Sequence, residues 1–200
     1  MKYIYAAFLL RKLRKELNEE NVKKVVAAAG IEIDEYKVKS LDELRKIRKK
    51  RKKELLVFVS GCFDIIHADH VEYLAWARTL GDYLLVAINS DNSIRQLKGP
   101  TRPIIPLKNR IQQIAANQSV DYIIVFNELE TIKIIETLKP DIFARGKDSV
   151  LDKRKIKEGK KEMNQNERRS VESYEGKIYF LDKPPKYSTS QLIKTIKNGY

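Results

Sequence analysis

LLVFVSGCFDIIHADHVEYLAWARTLG, residues 55–81, starts as an unbroken apolar run, turns at GCFD and ends as a helix. A segment apolar at every position is what a parallel strand buried on both faces requires. VEYLAWARTLG places apolar residues at helical spacing and stops at Gly81. The alternation then repeats. YLLVAINSD (83–91), YIIVFN (122–127), DIFARG (141–146) and KIYFLD (177–182) read as further strands. LKNRIQQIAANQ (107–118) and TIKIIETLK (131–139) read as the helices between them. Residues 149–170 break this rhythm and read as a surface excursion with short helical pieces. PPKYSTSQLIKTI (184–196) gives a turn and a closing helix with Ser188 at its N-cap. Strands alternating with helices predict βαβ units, and so an α/β fold whose parallel sheet is covered on both faces.

Ahead of this region the pattern is helical. YIYAAFLLRKLRKEL (3–17) is apolar on a broad stripe, Asn18 can cap the next helix, and NVKKVVAAAG (21–30) stops at Gly30. SLDE (40–43) is a capping box for a third helix that continues into RKIRKKRKK, residues 45–53. The expected organisation is a helical extension over 1–38 and one α/β domain over 39–200.

Apolar residues are 42% of the 200 and charged residues 34%, which suits a domain with a proper core and a well-solvated surface. The single cysteine, Cys62, has no internal disulfide partner and points to a reducing cytoplasm. YIYAAFLL is too short to span a bilayer, and its charges follow the apolar run, the wrong order for a signal peptide. The net charge of +13 is concentrated in residues 1–54, which hold 17 Lys/Arg against 9 Asp/Glu. The run at 45–53 is read as a solvated helix face ahead of a nucleic-acid contact, since no aromatic side chain interleaves it.

Ligands of open α/β sheets bind at the carboxyl ends of the strands. GCFDIIHADH (61–70) follows the first strand and contains both histidines of the chain, His67 and His70. Residues three apart on a first helical turn face the same way, and the turn adds unpaired N–H groups and partial positive charge. The spacing is that of an anion site with two imidazole donors. Two other readings stay open on spacing alone: satisfied structural histidines, or a His-x-x-His metal pair. The chain has no further His and only Cys62 to complete a zinc site, so no protein-held metal is expected.

GCFDIIHADH closely resembles the signature of the HxGH nucleotidyltransferase superfamily, whose fold is a Rossmann-like parallel sheet flanked by helices. Within it the chain is most similar to the heptose-1-phosphate adenylyltransferase group. SLDELRKIRKKRKKELLVFVSGCFD, AINSDNSIRQLKGPTRPIIPLKNR, ARGKD and YSTSQLI carry the likeness, in that order, from about Ser40 to the C-terminus.

The resemblance implies transfer of a nucleoside monophosphate, AMP from ATP in the first place, to a sugar-phosphate-like acceptor with release of pyrophosphate. CTP as donor, and glycerol phosphate or flavin mononucleotide as acceptor, are alternatives. His67, His70, Lys98 and Arg110 are implied to neutralise the phosphates. Gly61, Cys62, Phe63, Asp64, Asp91, Arg145, Gly146, Asp148, Ser188 and Thr189 are implied to line the nucleotide or the acceptor. Mg²⁺ would bridge phosphate oxygens and water. Two positions depart from the family pattern. Asp69 replaces the glycine of HxGH, placing a carboxylate beside the phosphates, and Lys147 stands where a second glycine is usual.

Residues 3–41 resemble the N-terminal dimerisation domain of the archaeal-type acidic ribosomal stalk protein, closely so through NEENVKKVVAAAG. That implies a homodimer. A competing reading is a ribosome-docked binding protein, catalytically disabled by Asp69.

Overall fold

The computed structural model describes residues 37–146, 163–182 and 189–198. The chain divides into two units between Lys37 and Val38, and the elements below belong to the second. Residues 3–36 of the stalk-like segment, Lys147, Asp148 and Ser188 lie outside the described residues.

Helix α1 (Leu41–Lys50) starts at the expected capping box: Ser40 Oγ accepts the Glu43 N–H, and Glu43 Oε2 accepts the Ser40 N–H at 2.8 Å. Strand β1 (Leu56–Gly61) follows, then α2 (Ala68–Arg78), β2 (Tyr83–Asn89), α3 (Asp91–Lys98), α4 (Leu107–Ala115) and β3 (Tyr122–Phe126). The remainder is α5 (Ile132–Leu138), β4 (Ile142–Arg145), α6 (Gln165–Glu172), β5 (Lys177–Phe180) and α7 (Thr189–Asn198). The sheet order is β3-β2-β1-β4-β5, and every pairing is parallel.

Alternate side chains of each strand enter different cores. Leu56 and Phe58 join Leu44 of α1, Ile135 of α5 and Val171 of α6, while Val57 and Val59 join Leu74 of α2 and Ile114 of α4. This is the helix-covered sheet that the unbroken apolar runs require. Aspartates before the strands fix their entry: Asp82, Asp121 and Asp141 accept the N–H groups of Leu55, Leu84 and Leu56.

One helix departs from the sequence reading. SDNSIRQLKG, expected as strand end and loop, contains α3: Ser90 Oγ accepts the Ser93 N–H at 3.1 Å, Ile94 is buried, and Gly99 ends the helix at φ 98°. The expected excursion does hold a short helical piece, α6, capped by Asn164. Its Glu167 and Ser170 are buried, as is Val171 just beyond the excursion, so this part is not surface. Among the described residues no helix is long and apolar enough to cross a membrane.

Candidate active site at the carboxyl edge of the sheet

After β1 the chain reverses through Phe63, which takes a left-handed backbone (φ 47°) uncommon for a bulky residue. The turn packs the Phe63 ring 3.1 Å from where a Cβ on Gly61 would sit, so a side chain there would press on it. It also sets the Phe63 ring centroid 5.6 Å from that of His70.

His67 is the N-cap of α2 and His70 lies in its first turn, so the i, i+3 expectation holds geometrically: their ring centroids are 4.0 Å apart. The His67 imidazole makes no capping hydrogen bond, and its Nδ1 is buried with no hydrogen-bond partner among the described residues. His70 Nδ1 accepts the His67 backbone N–H at 3.4 Å. Burial pushes the His70 pKa down to about 4, with the charges of His67 and Lys98 adding to the shift and Asp69 opposing it. At neutral pH His70 is therefore an uncharged ring with its proton on Nε2, a donor.

Lys98 is exposed at the last turn of α3, not in a loop, and close enough to act on His70. Asp69 lies in the first turn of α2, where a carboxylate is favoured by the helix dipole.

Arg110 and Asp64 are both engaged within the protein. Arg110 is 0% exposed and donates from Nε to Ile105 O, from Nη1 to Cys62 O, and from Nη2 to Asn89 O and Asp91 Oδ1. It ties the ends of β1 and β2 to the loop before α4, using four of its five N–H groups within the protein. Asp91 is its carboxylate partner and begins α3 instead of ending β2. Asp64, 2% exposed, accepts the N–H groups of Ile104 and Ile105 at 2.8 Å through Oδ1. Its Oδ2 takes Arg102 Nε at 2.6 Å, and Arg102 Nη2 lies 2.5 Å from the same oxygen, close enough for charge pairing but not aligned for a second hydrogen bond. Asp64 thus anchors the loop.

Sequence reasoning passed over Arg102 and Asn89. Asn89 Nδ2 donates to Ser93 Oγ, and Asn89 Oδ1 lies 3.8 Å from Cys62 Sγ. Thr189 brings the start of α7 to the same loop, with its Oγ1 3.5 Å from Ile65 O. Arg145 and Gly146 leave β4 beside Tyr73, whose hydroxyl donates to Ala144 O at 2.8 Å. Among the described residues no group of three His, Cys, Asp or Glu could hold a metal ion.

A five-stranded parallel sheet with paired imidazoles on a helix N-terminus at its carboxyl edge defines a Rossmann-like enzyme of the nucleotidyltransferase class. The chain belongs to the cytidylyltransferase-like family, whose description matches residues 58–195. It is 36% identical over 186 residues to the bifunctional protein HldE of Syntrophotalea carbinolica, covering 92% of this chain and 36% of that protein. To the bifunctional protein HldE of Helicobacter pylori it is 44% identical over 151 residues, covering 75% of this chain and 29% of the relative. The chain thus spans about a third of the length of the curated relatives it matches.

Among solved structures, the lipopolysaccharide core biosynthesis protein of Thermoplasma volcanium aligns with a TM-score of 0.50 and 27% identity, over 66% of this chain and 99% of that one. Pantoate-beta-alanine ligase of Francisella tularensis aligns with a TM-score of 0.50 at 15% identity, over 76% of this chain and 68% of that one, a likeness of fold alone.

Proposed function

We propose that the chain transfers a nucleoside monophosphate, AMP from ATP in the first place, to a phosphorylated sugar or polyol. An oxygen of the acceptor phosphate forms a bond to the α-phosphorus, the bond from that phosphorus to the bridging oxygen of the β-phosphate breaks, and pyrophosphate leaves. The protein's part in such a reaction is positioning and electrostatic stabilisation, with little covalent chemistry.

The observation that carries this reading is the imidazole pair on the α2 N-terminus. His70 offers Nε2–H as a neutral donor, and the buried Nδ1 of His67, without a hydrogen-bond partner among the described residues, is a polar atom that a ligand would complete. Lys98 supplies the nearby full charge. Gly61, Cys62 and Phe63 bring backbone to the nucleotide. The likeness to the family assigns Thr189 and Ser188, the latter outside the described residues, to the far phosphates. Mg²⁺ enters on the triphosphate. The preference for ATP and a sugar phosphate rests on the likeness to heptose-1-phosphate adenylyltransferases.

Pyrophosphate release across ATP and CTP, paired with heptose 1-phosphate, glycerol 3-phosphate and flavin mononucleotide, tests it. Turnover with ATP and the sugar phosphate is expected. Turnover with CTP and glycerol phosphate, or with ATP and the flavin, would replace that substrate assignment, and no turnover with any pair would remove it.

We also propose that residues 1–38 self-associate ahead of a transferase domain over 39–200, in a cytoplasmic homodimer. Light scattering on the chain with and without those residues is the check, and an unchanged mass would exclude the role.

A further inference from the structure

The order of the sheet reverses between β1 and β4. From β1 the chain proceeds outward through β2 to β3; from β4 it proceeds to β5 on the other flank. Such a reversal opens the crevice in which open parallel sheets bind ligands. Arg145, the last residue of β4, stands at this seam and donates from Nη1 to Ser60 Oγ, on β1, at 3.1 Å. The same Nη1 is 4.0 Å from Glu167 Oε2 on α6, and the guanidinium carbon lies 5.1 Å from the centre of the Phe143 ring. Its Nε is buried and has no hydrogen-bond partner among the described residues.

Glu167 is 6% exposed, and its other oxygen accepts both the Thr131 N–H at 2.9 Å and the Thr131 hydroxyl at 2.7 Å. Those two bonds fix the carboxylate, so Oε2 keeps facing Arg145. A fixed carboxylate at this distance orients the guanidinium without occupying all its donors. The planar fork of an arginine with open N–H groups is matched to phosphate oxygens.

The nucleotide's phosphates already have donors elsewhere. Lys98 acts on His70, whereas Arg145 acts on Tyr73, one turn further along α2. Two cations, one from α3 and one from β4, that act on successive turns of α2 suit two anions side by side, as nucleotidyl transfer requires.

We propose that Arg145 is the receptor for the acceptor's phosphate and that Glu167, through its hold on Arg145, is a positioning residue. The inference rests on the nucleotidyl-transfer reading above. It deepens that reading by placing the acceptor at the β1–β4 seam and by specifying a phosphate monoester. Arg145 exchanges no proton; it offsets the repulsion between the attacking phosphate and the triphosphate.

Arg145→Ala is expected to raise the acceptor KM at least about tenfold, as for loss of one charged phosphate contact, and to leave the nucleotide KM within about twofold. Glu167→Gln keeps an oxygen for Thr131 and loses only the charge facing Arg145. It is expected to raise the acceptor KM by about threefold, again without moving the nucleotide KM. An equal or larger rise in nucleotide KM in either variant, or a fall in melting temperature with both KM values unchanged, overturns the assignment.

If no acceptor turns over, the reaction reading fails, and isothermal titration of inorganic phosphate into protein saturated with α,β-methylene-ATP decides the anion site alone. Binding to the wild type that Arg145→Ala abolishes supports it. Equal binding by both, or none by the wild type, overturns it.

Discussion

His70 accepts the backbone N–H of His67 at its Nδ1, 3.4 Å away, and this contact fixes which ring nitrogen keeps the proton. The neutral ring is a donor at Nε2, and with a pKa pushed down to about 4 it stays neutral through the physiological range. Removing one preorganised donor to a developing charge costs at least about 10²-fold in rate. His70→Ala is therefore expected to lower kcat/KM by at least that factor, and so is His67→Ala. Wild-type rates in both variants would take the histidines out of the chemistry.

Burial of the same ring sets a pH dependence of stability. The folded-state pKa of His70 lies below its unfolded value, so between pH 6.5 and about 4 the unfolded chain binds the extra proton. The stability is present above pH 6.5 and is lost as pH falls towards 4. The loss from this group is at most about 3 kcal/mol for a shift of this size. Thermal melts at pH 7 and pH 4.5 on wild type and His70→Gln measure it. The variant should lose less on acidification, and an identical loss would assign the acid sensitivity to other groups.

Asp64 holds two backbone N–H groups and Arg102 from a nearly solvent-free position. Asp64→Ala leaves a half-buried guanidinium without its carboxylate and is expected to cost about 3–5 kcal/mol. Asp64→Asn retains an oxygen for Ile104 and Ile105 and should cost less. Chemical denaturation of the two variants gives the comparison; equal stabilities would show that the anchoring of this loop contributes little.

Arg110 and Lys98, both expected from sequence to neutralise phosphate, should separate in experiment. Arg110→Ala removes a fully buried cation tied to Cys62, Asn89, Ile105 and Asp91, and should destabilise the fold by about 3 kcal/mol or more. Lys98→Ala removes an exposed side chain, so stability should change by no more than about 0.5 kcal/mol while nucleotide KM rises. Melting temperature measured beside nucleotide KM resolves the pair. A stable Arg110→Ala with weak nucleotide binding would support the phosphate role.

The inner strands β1 and β2 were legible because burial on both faces makes them apolar along nearly their whole length. Edge strand β5 instead alternates exposed Lys177 and Tyr179 with half-buried Ile178 and Phe180. The histidine pair was legible because residues three apart on a first turn face the same way. Helix α3 was not: its eight residues hold only two apolar ones, Ile94 and Leu97, too short a pattern to stand out, and only Ser90 ahead and Gly99 behind mark its ends. Nor could residue type tell a buried cation from a solvated one. Arg110 meets Cys62 across 48 positions, Arg102 meets Asp64 across 38, and Glu167 meets Thr131 across 36. Those contacts follow from strand order, which no local pattern encodes. Glu167 was the hardest to find, since it sits in a segment whose charges read as surface.

Asp69 is the remaining test, because it puts a carboxylate in the turn that carries both histidines. Its charge raises the His70 pKa against the effects of burial, His67 and Lys98, so it lies within electrostatic reach of the ring that would meet the triphosphate. A unit charge 4 Å from a phosphate oxygen is repelled by about 1 kcal/mol in water and about 4 kcal/mol at a protein surface. Asp69→Gly removes that repulsion and lets a nucleotide approach the backbone more closely. It also removes a first-turn acid and introduces glycine into a helix, each a loss of up to about 1 kcal/mol. The expected result is a lower nucleotide KM together with a lower melting temperature. Nucleotide KM measured over a series of Mg²⁺ concentrations separates this from the alternative. If the glycine variant keeps its KM but needs more Mg²⁺, Asp69 helps hold the cation that arrives with the nucleotide, and the repulsion account is wrong.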